Sequence, residues 1–166
     1  MNALEQKFAQ TVKEQKATIY TVCYMFSKDA DEVNDLFQEV LVNLWQGFGS
    51  FENRSDIRTW IYRVALNTCI SLDRKRRRSP LFARSKSDER LALDINLFED
   101  ADSDTRQVDL LHKRIVRLQP FDRAIVLLWL ENLSYDEIGQ IVGITAKNVS
   151  VRLYRIKEQL KSMSNH

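Results

Sequence analysis

Between Ser134 and Lys161 the chain carries two short amphipathic patterns separated by a single glycine, an arrangement few folds accept. Ser134-Tyr135-Asp136-Glu137 has the Ser-x-x-Glu form in which hydroxyl and carboxylate each satisfy a free backbone N–H at a helix start. Ile138, Ile141 and Val142 follow on one side. Gly143 supplies the residue free to take positive φ that a tight turn needs, and Thr145 is placed to cap a second helix. In that helix Val149, Leu153, Ile156 and Leu160 recur at steps of four, three and four. The opposite side carries Lys147, Tyr154 and Arg155, with Arg152 and Lys157 at its edges. One side packs and the other is basic, as in a helix-turn-helix whose second helix enters a DNA major groove. Solvated basic faces are common on amphipathic helices, so the pattern alone does not separate DNA binding from a plain surface.

The remainder of the 166 residues agrees with an all-α protein. Four glycines and two prolines are too few for a sandwich or barrel full of tight turns, and no alternating strand pattern appears. No apolar run approaches the roughly 18 residues of a membrane span. The N-terminus, Met-Asn-Ala-Leu-Glu-Gln-Lys, lacks the apolar core of a signal peptide, so a cytoplasmic protein without membrane insertion is expected. Cys23 and Cys69 lie within apolar helical stretches and read as small buried hydrophobes. With His112 and His166 they make no zinc spacing, and no metal is expected.

A net charge of +2 hides a strong segregation. From Asp29 to Asp56 seven carboxylates face Arg54 alone; from Arg58 to Lys86 nine cations face Asp73 alone. From Asp88 to Asp104 seven carboxylates are opposed only by Arg90. Such alternation points to different partners for different segments, one of them a polyanion.

The first half reads as three helices. Leu4, Phe8, Val12, Ile19, Cys23 and Phe26 keep a helical step. Asp29-x-x-Glu32 opens a helix with Val33, Leu36, Phe37, Val40, Leu44 and Trp45 inward. After a Gly47–Arg54 loop, Ser55 caps a third helix to about Arg76, with Ile57, Trp60, Ile61, Val64, Thr68 and Leu72 as its core stripe. Ser79-Pro80 ends it, and a polar, acidic stretch to about Ser103 reads as a linker. A helix resumes near Asp104, and Pro120 suits the first turn of the next, Phe121 to Leu130. The expected architecture is two small helical domains, residues 1–78 and 104–166, joined by a flexible acidic linker, 79–103.

In this order the parts resemble the extracytoplasmic-function (ECF) group of the sigma-70 family of bacterial RNA polymerase sigma factors. The resemblance covers nearly the whole chain. It rests on Asp35-Leu36-Phe37-Gln38-Glu39, on Arg58-Thr59-Trp60-Ile61-Tyr62-Arg63-Val64-Ala65-Leu66-Asn67, on the Arg74–Arg78 run, and on Ser134-Tyr135-Asp136-Glu137-Ile138 with Val149 to Leu160. It implies sigma domains 2 and 4, and an alternative sigma factor that binds core RNA polymerase and directs promoter recognition and transcription initiation. The implied partners are the polymerase beta-prime and beta subunits and promoter DNA, with an anti-sigma factor also admitted. The free protein would be a monomer, with no catalytic residue and no cofactor, because nucleotide addition belongs to the polymerase.

Residue by residue, the resemblance gives Asp35, Gln38 and Glu39 the contact with core polymerase. They project opposite the Leu36/Val40/Leu44 side. Asn53, Arg54, Arg58, Arg63, Asn67, Arg74, Arg76 and Arg77 fall to the minus-10 element, which is recognised and melted with one unstacked base held in a pocket. Arg63, Asn67 and Arg74 share one stripe of the third helix. An amide between guanidinium groups suits base-edge and phosphate contacts. The Arg74–Arg78 run suits phosphates of any sequence. Trp60 and Tyr62 are candidate melting aromatics, although Trp60 falls on the apolar stripe. Lys147, Ser150, Val151, Tyr154 and Arg155 fall to the minus-35 element. Related sigma factors often carry a basic residue and then a serine where this chain has Ser150 and Val151, which leaves its minus-35 preference open. Two other readings compete: a free-standing helix-turn-helix regulator with an N-terminal dimerisation or sensing domain, and a DNA-processing enzyme using Asp35 and Glu39 with a metal.

Overall fold

A computed structural model of the chain describes residues 1–51, 56–78 and 102–163. Among these residues it has seven α-helices and no strand: α1 (Ala3–Met25), α2 (Ala30–Phe48), α3 (Ile57–Arg78), α4 (Asp102–Ile115), α5 (Pro120–Leu130), α6 (Tyr135–Val142) and α7 (Ala146–Ser162). The Ser55 cap and the linker up to residue 101 lie outside the described residues.

Helix starts are chemically marked. Asn2 caps α1, its side chain accepting the Glu5 N–H at 2.8 Å. Asp29 accepts the Glu32 N–H at 2.9 Å, and the Glu32 carboxylate accepts the Lys28 N–H at 3.1 Å, a reciprocal pair that fixes where α2 begins. Pro120 occupies the first turn of α5, where its missing N–H would have had no partner. Helix α4 begins at Asp102, slightly earlier than the periodicity predicts.

Helices α1–α3 pack on one another around Ile19, Val22 and Cys23, then Val33, Leu36, Val40 and Leu44, then Ile61, Ala65, Leu66 and Cys69, all buried. Burying each large aliphatic side chain is worth about 1.5–3 kcal/mol, which holds the helices together against their ordering entropy. Both cysteines are free and buried. The hydrogen bond to Cys23, and then burial, pushes the Cys69 thiol well above its ordinary pKa, so it acts as a hydrophobe. Two expected core residues differ: Leu4 is 43% exposed and Trp45 41%. Trp45 lies at the edge of the α2 stripe, with an edge-on contact from Phe8 at 5.1 Å.

The second group, α5–α7, packs around Ile125, Leu127, Leu128, Ile138, Val149, Leu153 and Ile156. It also packs against the first, with α5 on α1 and α3, and α6 on α3. At this junction the buried His112 of α4 stacks on Tyr24 of α1, ring centroids 4.2 Å apart, with Nε2 2.9 Å from the Tyr24 carbonyl oxygen. Buried Arg123 of α5 lies over Phe26 at 5.0 Å and donates to the carbonyls of Val116 and Leu118 just beyond α4. It thereby satisfies carbonyls of the turn that joins α4 to α5.

Candidate nucleic-acid interface

On α2 the buried residues Leu36, Val40 and Leu44 take the inner side, which leaves Asp35, Gln38 and Glu39 exposed together on the outer one. Among the described residues no three His, Cys, Asp or Glu side chains gather as a metal site requires.

Glu39 also reaches the rim of an open groove of about 390 Å³ between α2 and α3, lined by Glu39, Asn43, Val64, Asn67, Thr68 and Leu72. Its floor is fixed by polar contacts. Asn43 donates to Thr68 Oγ1 at 2.8 Å, and Thr68 donates to the Val64 carbonyl at 2.7 Å. Spacing along α3 could not predict this groove, because Asn43 comes from another helix.

The α3 stripe divides. Asn67 and Arg74 are exposed, whereas Arg63 donates from Nε and Nη2 to the Gln140 carbonyl of α6, at 3.2 and 2.7 Å. Arg76 pairs with Glu32 of α2 at 2.8 Å, both side chains largely covered. In this arrangement it braces two helices rather than standing as a free cation. Asn53 and Arg54, and the side chain of Arg77, lie outside the described residues.

Both candidate melting aromatics pack against other side chains in this structure. Tyr62 is 1% exposed, and its hydroxyl donates to Glu131 at 3.4 Å while accepting from Arg58 at 3.2 Å. Burial, and then the Glu131 charge, raises its pKa above 10.0. Tyr62 is thus used between α3 and α5, because the packing of α5 on α3 covers that turn. Trp60 is half-buried and stacks on Phe51, centroids 4.8 Å apart, as its place on the apolar stripe predicts.

The helix-turn-helix forms as its sequence dictates. The Ser134 N–H donates to the Glu137 carboxylate at 2.8 Å, and the Glu137 N–H donates to Ser134 Oγ at 3.1 Å. The Ser134 N–H, and then the Ser134 hydroxyl, hold the Glu137 carboxyl below its usual pKa. Gly143 takes φ 85°, and Thr145 caps α7 by accepting the Asn148 N–H at 3.1 Å. Sequence reasoning missed Gly139: a Cβ there would run into the Ile144 carbonyl oxygen, so this glycine sets how closely the turn crosses α6.

On α7, Arg152 and Lys157 are drawn back onto α5. Arg152 pairs with Asp122 at 2.9 Å and covers Phe121 at 4.7 Å, and Lys157 lies over Trp129 at 4.2 Å. Lys147, Ser150, Val151, Tyr154 and Arg155 remain exposed on the outward face.

Residues 11–79 match sigma-70 region 2, and residues 109–160 match sigma-70, region 4. The chain is 30% identical to the ECF RNA polymerase sigma factor SigW of Bacillus subtilis, over 95% of this chain and 88% of that protein. It is 27% identical to the ECF RNA polymerase sigma-E factor of Haemophilus influenzae, over 80% of this chain and 74% of the relative. Two solved structures share the fold. One is CnrH in complex with the cytosolic domain of CnrY, with a TM-score of 0.67, 19% identity, and 95% and 87% of the two chains covered. The other is the sigma factor RpoE in complex with the anti-sigma factor NepR from Bartonella quintana, with a TM-score of 0.68, 20% identity, and 94% and 95% covered. With both sigma regions in order on an all-helical fold, the chain belongs to the ECF group of the sigma-70 family, the alternative sigma factors that direct transcription initiation.

Proposed function

We propose that residues 1–78 act as the unit that docks on core RNA polymerase and opens the minus-10 element, that residues 104–166 read the minus-35 element, and that 79–103 connect them. The observation that carries this reading is the pairing, on adjacent helices, of an outward polar triad with one exposed amide. Asp35, Gln38 and Glu39 face away from the core on α2, and Asn67 of α3 lines the same groove as Glu39. The triad offers acceptors and one amide to a polymerase helix with basic side chains. Asn67 offers a donor and an acceptor to a base that has left its stack. Capturing such a base favours the melted state, because duplex DNA cannot present it.

The protein adds no catalytic group and no cofactor of its own; the polymerase supplies the chemistry. It works in the cytoplasm, and no helix of the described residues is long and apolar enough to cross a membrane. It is a monomer until it meets polymerase. An anti-sigma factor is a fitting restraint, since a sigma factor of this fold has been solved with one bound.

The test is reconstitution with core polymerase. Reversing charge at Asp35 and Glu39 should abolish co-purification with core and promoter-dependent transcripts while leaving helicity and melting temperature near wild type. Unchanged association would remove this face from the interface. Tight operator-like binding by a dimer of the isolated chain would favour the regulator reading instead.

A further inference from the structure

We infer that α7 selects its duplex through thymine methyl groups, and that Val151 and Tyr154 are the side chains that touch them. This rests on the reading of α7 as the minus-35 helix and names what that helix recognises.

Sequence alone makes the polar side of the helix look basic, with Lys147, Arg152, Arg155, Lys157 and Lys161. The fold removes two of the five: Arg152 is held by Asp122 and Phe121, and Lys157 lies on Trp129. The outward face that remains has an apolar centre. Val151 is 42% exposed and Tyr154 68%, three residues apart and therefore neighbours on one face. Lys147 stands one turn before Val151 and Arg155 one turn after it, both exposed.

Nothing within the helix asks for these residues. Valine has poor helix propensity, and neither side chain packs on the core. Their chemistry identifies the occupant. The flanking cations suit phosphates, which fits a nucleic-acid duplex. A valine side chain can neither donate nor accept a hydrogen bond, so it cannot read the polar edge of guanine, adenine or cytosine. Set against such an edge, it would strip water from a polar atom and return no bond. The thymine C5-methyl is the apolar group the major groove displays, and it is where an alkyl or aromatic side chain gains by contact. Val151 and Tyr154 therefore fit this face to discriminate A·T pairs and the strand on which the thymine lies.

Deoxyuridine tests this directly, because it differs from thymidine only by the methyl group and leaves hydrogen-bonding edges and charge intact. Holoenzyme reconstituted with the full chain first selects its upstream element from a double-stranded library randomised at that element. Each selected thymine is then replaced singly by deoxyuridine. Binding should weaken roughly four-fold at one or two positions, the loss that about 0.8 kcal/mol for one buried methyl corresponds to. Val151→Ala should abolish the sensitivity at one position and Tyr154→Ala at its neighbour, and both variants should melt like wild type. A selected element whose thymines can all become deoxyuridine without loss overturns the methyl contact and leaves the sigma reading intact. A holoenzyme that selects no upstream element overturns the reading of α7, and the methyl contact with it.

Discussion

Arg63 donates from both Nε and Nη2 to the Gln140 carbonyl, joining the helix expected to read the minus-10 element to the first helix of the helix-turn-helix. Gln140 lies in the last turn of α6, where the N–H groups of Gly143 and Ile144 both bond to Gly139 instead. Its carbonyl is thus one of those a helix end leaves open, at the negative pole of the helix dipole. Arg63→Ala should lower stability by about 1–2 kcal/mol and also impair promoter opening. Arg74→Ala, at an exposed position of the same stripe, should impair opening alone. Thermal melting beside permanganate footprinting separates the two, and an Arg63→Ala protein that melts like wild type would leave the cap without energetic weight.

Asn67 and Arg76 should part in a different way. Asn67→Ala should relax base preference in the minus-10 element and cost on the order of 1–3 kcal/mol in opening if one good contact is lost. Arg76 is tied to Glu32, so Arg76→Ala should loosen α2 against α3, costing up to about 1 kcal/mol, with no change in base preference. Footprinting a panel of minus-10 variants at two salt concentrations measures both. An unaltered preference in Asn67→Ala would make that residue structural.

What the sequence made legible follows from what local rules govern. The Asp29 and Ser134 caps, the turn at Gly143 and the outward triad on α2 all depend on residues within a few positions of one another, and each is found where the spacing predicts. The packing of α5 and α6 on α3 depends on pairs far apart in the chain, such as Tyr62 with Glu131. Periodicity says which face of a helix is apolar and nothing about which distant polar group will meet its rim. For the same reason Arg152 and Lys157 read as surface cations until Asp122, Phe121 and Trp129 are placed beside them.

The two glycines of the helix-turn-helix are constrained for different reasons, and their alanine variants should show it. Gly143→Ala leaves open space around the new methyl and suffers only the left-handed backbone, about 1–2 kcal/mol. Gly139→Ala drives a methyl into the Ile144 carbonyl oxygen, which cannot move without shifting the Thr145 cap. Its cost should be larger, about 2–3 kcal/mol, and it should tilt α7, so that minus-35 binding falls even in protein that remains folded. Calorimetry and holoenzyme binding to promoters with and without the upstream element decide the matter. Equal losses in both variants would mean that the turn relaxes freely.

His112 should make the junction between the two halves sensitive to pH. It faces Tyr24 on α1, Asp109 on its own helix and Arg123 on α5. Burial, with help from the Arg123 charge, lowers its pKa below 6.5, against the opposing pull of the Tyr24 and Ser27 carbonyls and of Asp109. Because the folded chain favours the neutral ring, the stability it contributes is complete above the unfolded pKa of about 6.5 and is lost as pH falls below that value towards the folded pKa. His112→Phe keeps a ring to stack on Tyr24 and has no proton to take up. The difference in melting temperature between the two proteins, followed from about pH 7.5 to about pH 5.5, reports the histidine. Wild type should lose stability on acidification more steeply than the variant. Parallel slopes would show that the ring takes up its proton as easily in the folded chain as in the unfolded one.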